Sequence, residues 1–164
     1  MAHFPGLGEV VISYPEDDKV TRLSHPTVWN FTKFCLSVKP KRELADAVHF
    51  HPEKTAEWKE FLIVLDYLPD EDDFTYRYYS NSIAAVSGFD MTGKRVSDFD
   101  SEVGRMFLRQ YRKCIDERVM IHSEHFRVHS RTNCKWVRSI CPVKDGDAIS
   151  IHMVNVPIPQ KETD

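Results

Sequence analysis

The chain has 164 residues, 41% of them hydrophobic, and a formal net charge of −3. That length and composition suit one soluble globular domain with its own core, and the charge offers no basic footprint for nucleic acid. No apolar run approaches the roughly 20 residues that span a bilayer, and Met1 to Gly8 lacks the basic and apolar regions of an export signal. The expectation is a cytoplasmic protein with neither a nucleic-acid nor a membrane partner.

Met1 to Arg22, with Pro5, Gly6, Gly8 and Pro15, reads as an arm, partly ordered at most, holding one short β-like run from Glu9 to Tyr14. Ser24 as a cap and Pro26 in the first turn then start a helix. Val28, Phe31, Cys35 and Val38 recur in it at helical spacing, and Lys39 and Pro40 stop it. A second capped segment begins near Pro52 and leads into Phe61 to Leu68. That run is apolar at nearly every position, as in a strand covered on both faces. The acidic turn Pro69 to Asp73 joins it to a second strand, Phe74 to Tyr79, in a hairpin. Alternation puts Phe74, Tyr76 and Tyr78 on one face and Arg77 on the other.

Ser80, Asn81 and Ser82 cap a short helical turn carrying Ile83, Ala84 and Val86, after which Gly88 and Gly93 turn the chain twice. Val103, Met106, Phe107, Tyr111, Cys114 and Ile115 recur at helical spacing behind a cap at Asp100 or Ser101. Arg105, Arg109 and Arg112 lie on another, polar side of that helix. Three strands close the chain: Met120 to Val128, Cys134 to Val143 and Ala148 to Val156. A strand followed by short helices on tight turns, from Asp73 to Phe99, forms a concave wall of the kind that holds ligands.

This element order, with Phe74-x-Tyr76-Arg77 and Gly88-Phe89-Asp90-Met91-Thr92-Gly93-Lys94-Arg95, resembles the PAS domain superfamily. The nearest pattern is that of small single-domain bacterial PAS proteins of the alphaproteobacterial type. The resemblance covers roughly Trp58 to Val156 and, more loosely, the helix around Trp29. It departs at Ser80, where the family usually has glycine. It implies an α+β fold: a PAS-like five-stranded antiparallel sheet with helices on one face, a pocket between them, and an N-terminal helical extension. The corresponding division is 1–50 for arm and extension, 51–158 for the PAS-like domain and 159–164 for a tail. The implied function is a stand-alone module for sensing or protein interaction in bacterial signalling, commonly a homodimer. With no kinase, cyclase or DNA-binding segment in the chain, output passes through an unidentified signalling partner.

The resemblance implies no single ligand, because the family uses haem, flavin, small acids or nothing detectable. His122 points away from His125 and His129 on the same strand, so the three do not converge on one metal. Axial haem ligation by a single histidine stays open. His49 and His51 have no third ligand, and no metal site is assigned. Asn133-Cys134 is only a fragment of the flavin–cysteine photosensor motif, so neither haem nor flavin has motif support. The cysteines Cys35, Cys114, Cys134 and Cys141 lack CxxC spacing and read as buried thiols. Asp70 to Asp73 lacks the glycine and spacing of a calcium loop and reads as a solvated hairpin tip. No catalytic signature appears, which predicts a protein that is not an enzyme.

The pocket candidates for a small-molecule ligand are Tyr76, Tyr78, Ile83, Phe107, Tyr111, Trp136 and Ile140, whose elements face one another in the implied architecture. Arg77 is assigned to a structural ion pair with Asp66 or Asp90 in preference to an anionic ligand. Two other readings stand beside the sensory one: a small cavity enzyme using a Tyr or His as acid–base, and a ligand-free scaffold with a filled core.

Overall fold

The computed structural model describes residues 7–17, 25–99, 101–128 and 133–160. Its strands are β1 (Val10–Ser13), β2 (Ala45–Asp46), β3 (Leu62–Leu68), β4 (Asp73–Tyr79), β5 (Ile121–Val128), β6 (Asn133–Asp145) and β7 (Ala148–Pro159). The helices are α1 (Pro26–Val38), α2 (Asn81–Ser87) and α3 (Ser101–Glu117), with 3₁₀ turns at Ala47–Phe50, Ala56–Phe61 and Val96–Asp98. The strands form one sheet in the order β1-β5-β6-β7-β3-β4, antiparallel at every step. The expected five-stranded sheet is β5-β6-β7-β3-β4, and β1 and β2 add to it. The β-like run near the N-terminus, expected in a partly ordered arm, pairs along β5 from Val10 opposite His125 to Ser13 opposite His122. It thereby covers backbone groups that an edge strand leaves open. β2 pairs parallel with β6 at Val143 and Lys144, past the point where β5 ends.

Strand alternation sends apolar side chains to both faces, and each face has its own helical cover. On one face Ile63, Leu65, Phe74, Tyr76, Trp136, Ile140, Ile151 and Met153 pack against α2, α3 and the Val96–Asp98 turn. On the other, Leu62, Val64, Val137, Cys141, Val143 and Val154 pack against Val28, Phe31 and Cys35 of α1 and against Phe50 and Trp58. Burial on both sides is why the β3 sequence is apolar almost throughout. The N-terminal extension is therefore the second cover of the sheet.

Several local details differ from expectation. At α1 the N-cap is His25, whose Nδ1 accepts from the Thr27 amide at 3.2 Å; Ser24 lies outside the described residues. The expected cap of α3 falls on Asp100, outside the described residues, or on Ser101, whose side chain is not described. β6 and β7 run on to Asp145 and Pro159, joined where Asp145 faces Ala148 across Gly146. Lys39, the expected helix stop, is also a buried anchor. Its Nζ donates to Glu16 Oε2 at 2.8 Å and to the Arg118 carbonyl at 2.7 Å, while Glu16 Oε1 accepts from the Met120 amide at 2.6 Å.

The change that matters most for the site is a bulge. Leu65 stands opposite Tyr76 but Val64 stands opposite Tyr78, so Arg77 is an extra residue on β4 and reverses the alternation after it. Tyr79, not Tyr78, joins Phe74 and Tyr76 on the α3 side. Beyond α2, Gly88 at φ 89° closes the helix in the left-handed region, where a side chain would be strained. The chain then returns along the free side of β4: the Gly93 amide donates to the Tyr76 carbonyl at 2.8 Å, and the Tyr76 amide to the Lys94 carbonyl at 2.9 Å.

Candidate functional site

Between the sheet and the helices α2 and α3 lies a small cavity of about 20 Å³. That is room for about one water molecule. Its wall comes from every neighbouring element: Ile63 of β3, Tyr76 and Tyr79 of β4, Phe107 and Tyr111 of α3, His125 and Arg127 of β5, Trp136 and Arg138 of β6, and Asn155 of β7. Ser87, Phe89 and Phe99 close its outer end.

Arg138 dominates the chemistry of this wall. Alternation along β6 puts Cys134, Trp136, Arg138 and Ile140 on the α3 side, so a guanidinium enters a position otherwise given to apolar residues. The residue is 1% exposed. Its Nη1 donates to the Tyr111 hydroxyl at 2.8 Å and its Nη2 to Gln110 Oε1. Gln110 is held in turn by Ser123, which its Nε2 meets at 3.0 Å. The guanidinium carbon lies 4.5 Å from the centre of the Phe107 ring and 5.4 Å from that of Tyr111. The Nε is buried without a partner, as is Oδ1 of Asn155, which stands opposite Arg138 on β7. Among the described residues no carboxylate lies within ion-pair distance of Arg138; the ion pairs that occur involve other cations.

Burial sets the protonation of the phenols. It raises Tyr76 well above its ordinary value and pushes Tyr79 up to about 12. Tyr111 is also raised by burial, although the Arg138 guanidinium pulls the other way. All three stay neutral near pH 7 and act as hydrogen-bonding groups.

The sequence candidates divide. Tyr76, Phe107, Tyr111 and Trp136 line this cavity. Ile83 and Ile140 are buried in the same core behind it. Tyr78 is carried to the opposite face by the bulge, where its hydroxyl donates to the Lys59 carbonyl at 3.1 Å. Arg77 pairs with Asp66, one of its two expected partners, its Nε meeting both carboxylate oxygens at 3.0 and 3.1 Å. Asp90 instead accepts from the Thr92 amide and hydroxyl, which hold its carboxyl below the usual range. Ser80, where the glycine of the resembled family is missing, sits at an ordinary φ of −57° and caps α2, its Oγ accepting from the Ser82 and Ile83 amides. The sequence reading missed Arg138, Tyr79, His125 and Asn155. The signal for Arg138 was present: it falls on the same alternation as Trp136 and Ile140.

A larger cleft of about 590 Å³ lies on the other face, lined by Phe50, Leu62, Val64, Arg77, Tyr78 and His152 among others. Of its charged groups Arg77 is already paired with Asp66, while Glu53 and Lys59 are exposed to solvent. Its buried His152 is driven to about 3, first by desolvation and then by Arg77, and is neutral near pH 7. Size therefore favours this cleft, whereas a buried charge with no described carboxylate partner favours the cavity at Arg138. Charge in a low-dielectric site decides between them, because it selects a ligand where volume alone does not.

His122 and His125 face opposite sides of β5, as expected, and His129 lies outside the described residues. Among the described residues no three His, Cys, Asp or Glu side chains cluster to hold a metal ion. Among the described residues no helix is long and apolar enough to cross a membrane. A family model described as PAS fold matches residues 61–161. No curated protein matches the chain.

Proposed function

The chain belongs to the PAS fold family, and from that premise we propose that it is a sensory module that recognises a small molecule in the cavity at Arg138. PAS domains commonly mediate interactions and dimerise, so the proposal includes a homodimer whose output passes to a partner protein. The observation that carries it is a fully buried guanidinium lining an aromatic cavity with no carboxylate within ion-pair distance among the described residues. A scaffold with a merely filled core has no use for such a charge, since an apolar residue of similar volume there is often neutral or stabilising. The cavity of about 20 Å³ has room for about one water as it stands, so a ligand must displace part of its wall.

The test is a thermal-shift screen of the purified protein against a small-molecule panel of neutral, cationic and anionic members, with native mass measured for each hit. The expected result is at least one ligand that raises Tm through preferential binding to the folded state. It should also alter self-association or hydrogen exchange in residues 81–99. A protein that binds nothing in the panel and stays a monomer throughout would sink the reading.

A further inference from the structure

We propose that the cleft on the α1 face of the sheet is a second small-molecule site, and that it takes a neutral aromatic compound whose hydroxyl meets the ring of His152. The site lies on the opposite side of the sheet from the cavity at Arg138 and does not depend on the reading of that cavity.

Strand alternation and one bulge build the cleft. Along β7, Ile151 and Met153 turn towards α3, which leaves His152 on the other side. There it stands opposite Val64 of β3, with its ring 4.8 Å from that of Phe50. On β4 the bulge at Arg77 turns Tyr78 to this same side, and its hydroxyl ties the strand to the Lys59 carbonyl of the Ala56–Phe61 turn at 3.1 Å. Bulges re-aim side chains in this way beside functional sites. Phe50, Leu62, Val64 and Tyr78 together give an apolar and aromatic wall to a space of about 590 Å³. That volume suits a small-molecule ligand.

The class of ligand follows from the charges and from one ring. Arg77 is paired with Asp66, and Lys59 and Glu53 bring one charge of each sign to the exposed rim. The described wall therefore favours neither an anion nor a cation, and a charged ligand would lose hydration there without a counter-charge. His152 is 6% exposed, and its Nδ1 is buried with no hydrogen-bond partner among the described residues. An orphaned ring nitrogen carries a cost that an arriving hydrogen-bonding group removes once the ring turns to it. Burial, with Arg77 nearby, keeps the ring neutral near pH 7. In a neutral imidazole one nitrogen donates and the other accepts, and a hydroxyl can answer either. The rings of Phe50 and Tyr78 offer an aromatic body the edge and face contacts that an aliphatic one cannot return.

The experiment compares p-cresol with toluene, which lacks the hydroxyl, and with benzoate and benzylamine, which are charged near pH 7. Binding to the full chain is read by calorimetry and by the ring resonances of His152, assigned in the wild-type protein. p-Cresol is expected to bind about tenfold tighter than each of the other three, as in a site that hydrogen-bonds its ligand, and to shift the His152 resonances. His152→Phe should bring p-cresol and toluene to equal affinity. Ala56→Trp, at an exposed position on the wall, should fill the cleft and abolish binding while Tm stays that of the wild type. The four probes and the resonances need no variant, so the test survives if His152→Phe does not fold. Equal binding of p-cresol and toluene would overturn the role of His152, and benzoate or benzylamine matching p-cresol would overturn the neutral class. Binding that moves the ring of His125, on the inner cavity wall, and leaves His152 unmoved would overturn the site. So would binding that survives Ala56→Trp. No binding by any of the four probes overturns this inference, while the reading of the cavity at Arg138 is decided by its own panel and the native mass.

Discussion

Arg138 spends its charge in a place where water would solvate it far better, and its partners show how the fold tolerates this. A hydrogen bond to a charged group is worth about 1.5–3 kcal/mol, and the bond to the Tyr111 hydroxyl at 2.8 Å is one of these. Tyr111→Phe is expected to cost about 1.5–3 kcal/mol of unfolding free energy in urea with the denaturant dependence unchanged. A loss well under 1 kcal/mol would mean that water takes the place of the hydroxyl. Arg77 makes the opposite case. Its pairing with Asp66 has good geometry, but both side chains are about half exposed. Exposed pairs contribute about 0–1 kcal/mol. Of the two arginines the sequence offered on these strands, the conspicuous one is a surface pair and the overlooked one is the buried charge.

At the scale of the element, the connection from β4 into α2 is held by one side chain. Ser80 is 1% exposed, and its Oγ accepts from the Ser82 and Ile83 amides while donating to the Glu60 carbonyl. It therefore caps α2 and ties it to the 3₁₀ turn at Ala56–Phe61 on the far side of the strand. Ser80→Ala is expected to cost about 1–2 kcal/mol, the upper part of the range for losing an N-cap, because the Glu60 carbonyl loses its donor as well. Equilibrium unfolding checks this, and a change below about 0.3 kcal/mol, in the range of inert surface substitutions, would show that the cap is dispensable. Gly104 explains how α3 approaches the Val96–Asp98 turn: a Cβ there would lie 3.2 Å from the Val96 carbonyl oxygen and 3.4 Å from the Phe99 Cβ. That close approach places Phe107 and Tyr111 over the cavity.

The molecule as a whole carries a pH dependence built into its outer face. His152 is buried against Phe50 at 4.8 Å, with Arg77 and Asp66 as the charged groups that act on it. Its folded value of about 3 lies below the ordinary 6.5, so the unfolded chain binds the proton more readily. Stability from this group is complete above pH 6.5 and is lost as pH falls through the window between 6.5 and 3. From pH 7 to pH 5, above the range of most carboxylates, the loss comes to about 2 kcal/mol. His122, also lowered chiefly by burial, adds in the same direction. His152→Gln is expected to flatten the profile of unfolding free energy between pH 7 and 5; a variant as steep as the wild type would refute this assignment.

The amino-acid pattern alone determined the order of elements, two strands, short helices, a long helix and three strands from Leu62 onward, and the inward faces of α3 and β6, because period and turn chemistry are local. It also determined that Tyr76, Phe107, Tyr111 and Trp136 meet, once the elements were set in that order. Only the tertiary structure decided three things. The bulge at Arg77 is fixed by pairing with β3, and it moved Tyr78 to the far face and brought Tyr79 in. β1 became a strand because β5 had a free edge to offer it. And the absence of any described carboxylate at Arg138 is a fact about partners far apart in the chain: alternation along β6 points the side chain inward, but only the packing of α3 and β7 around it shows that the positive charge is left unmatched.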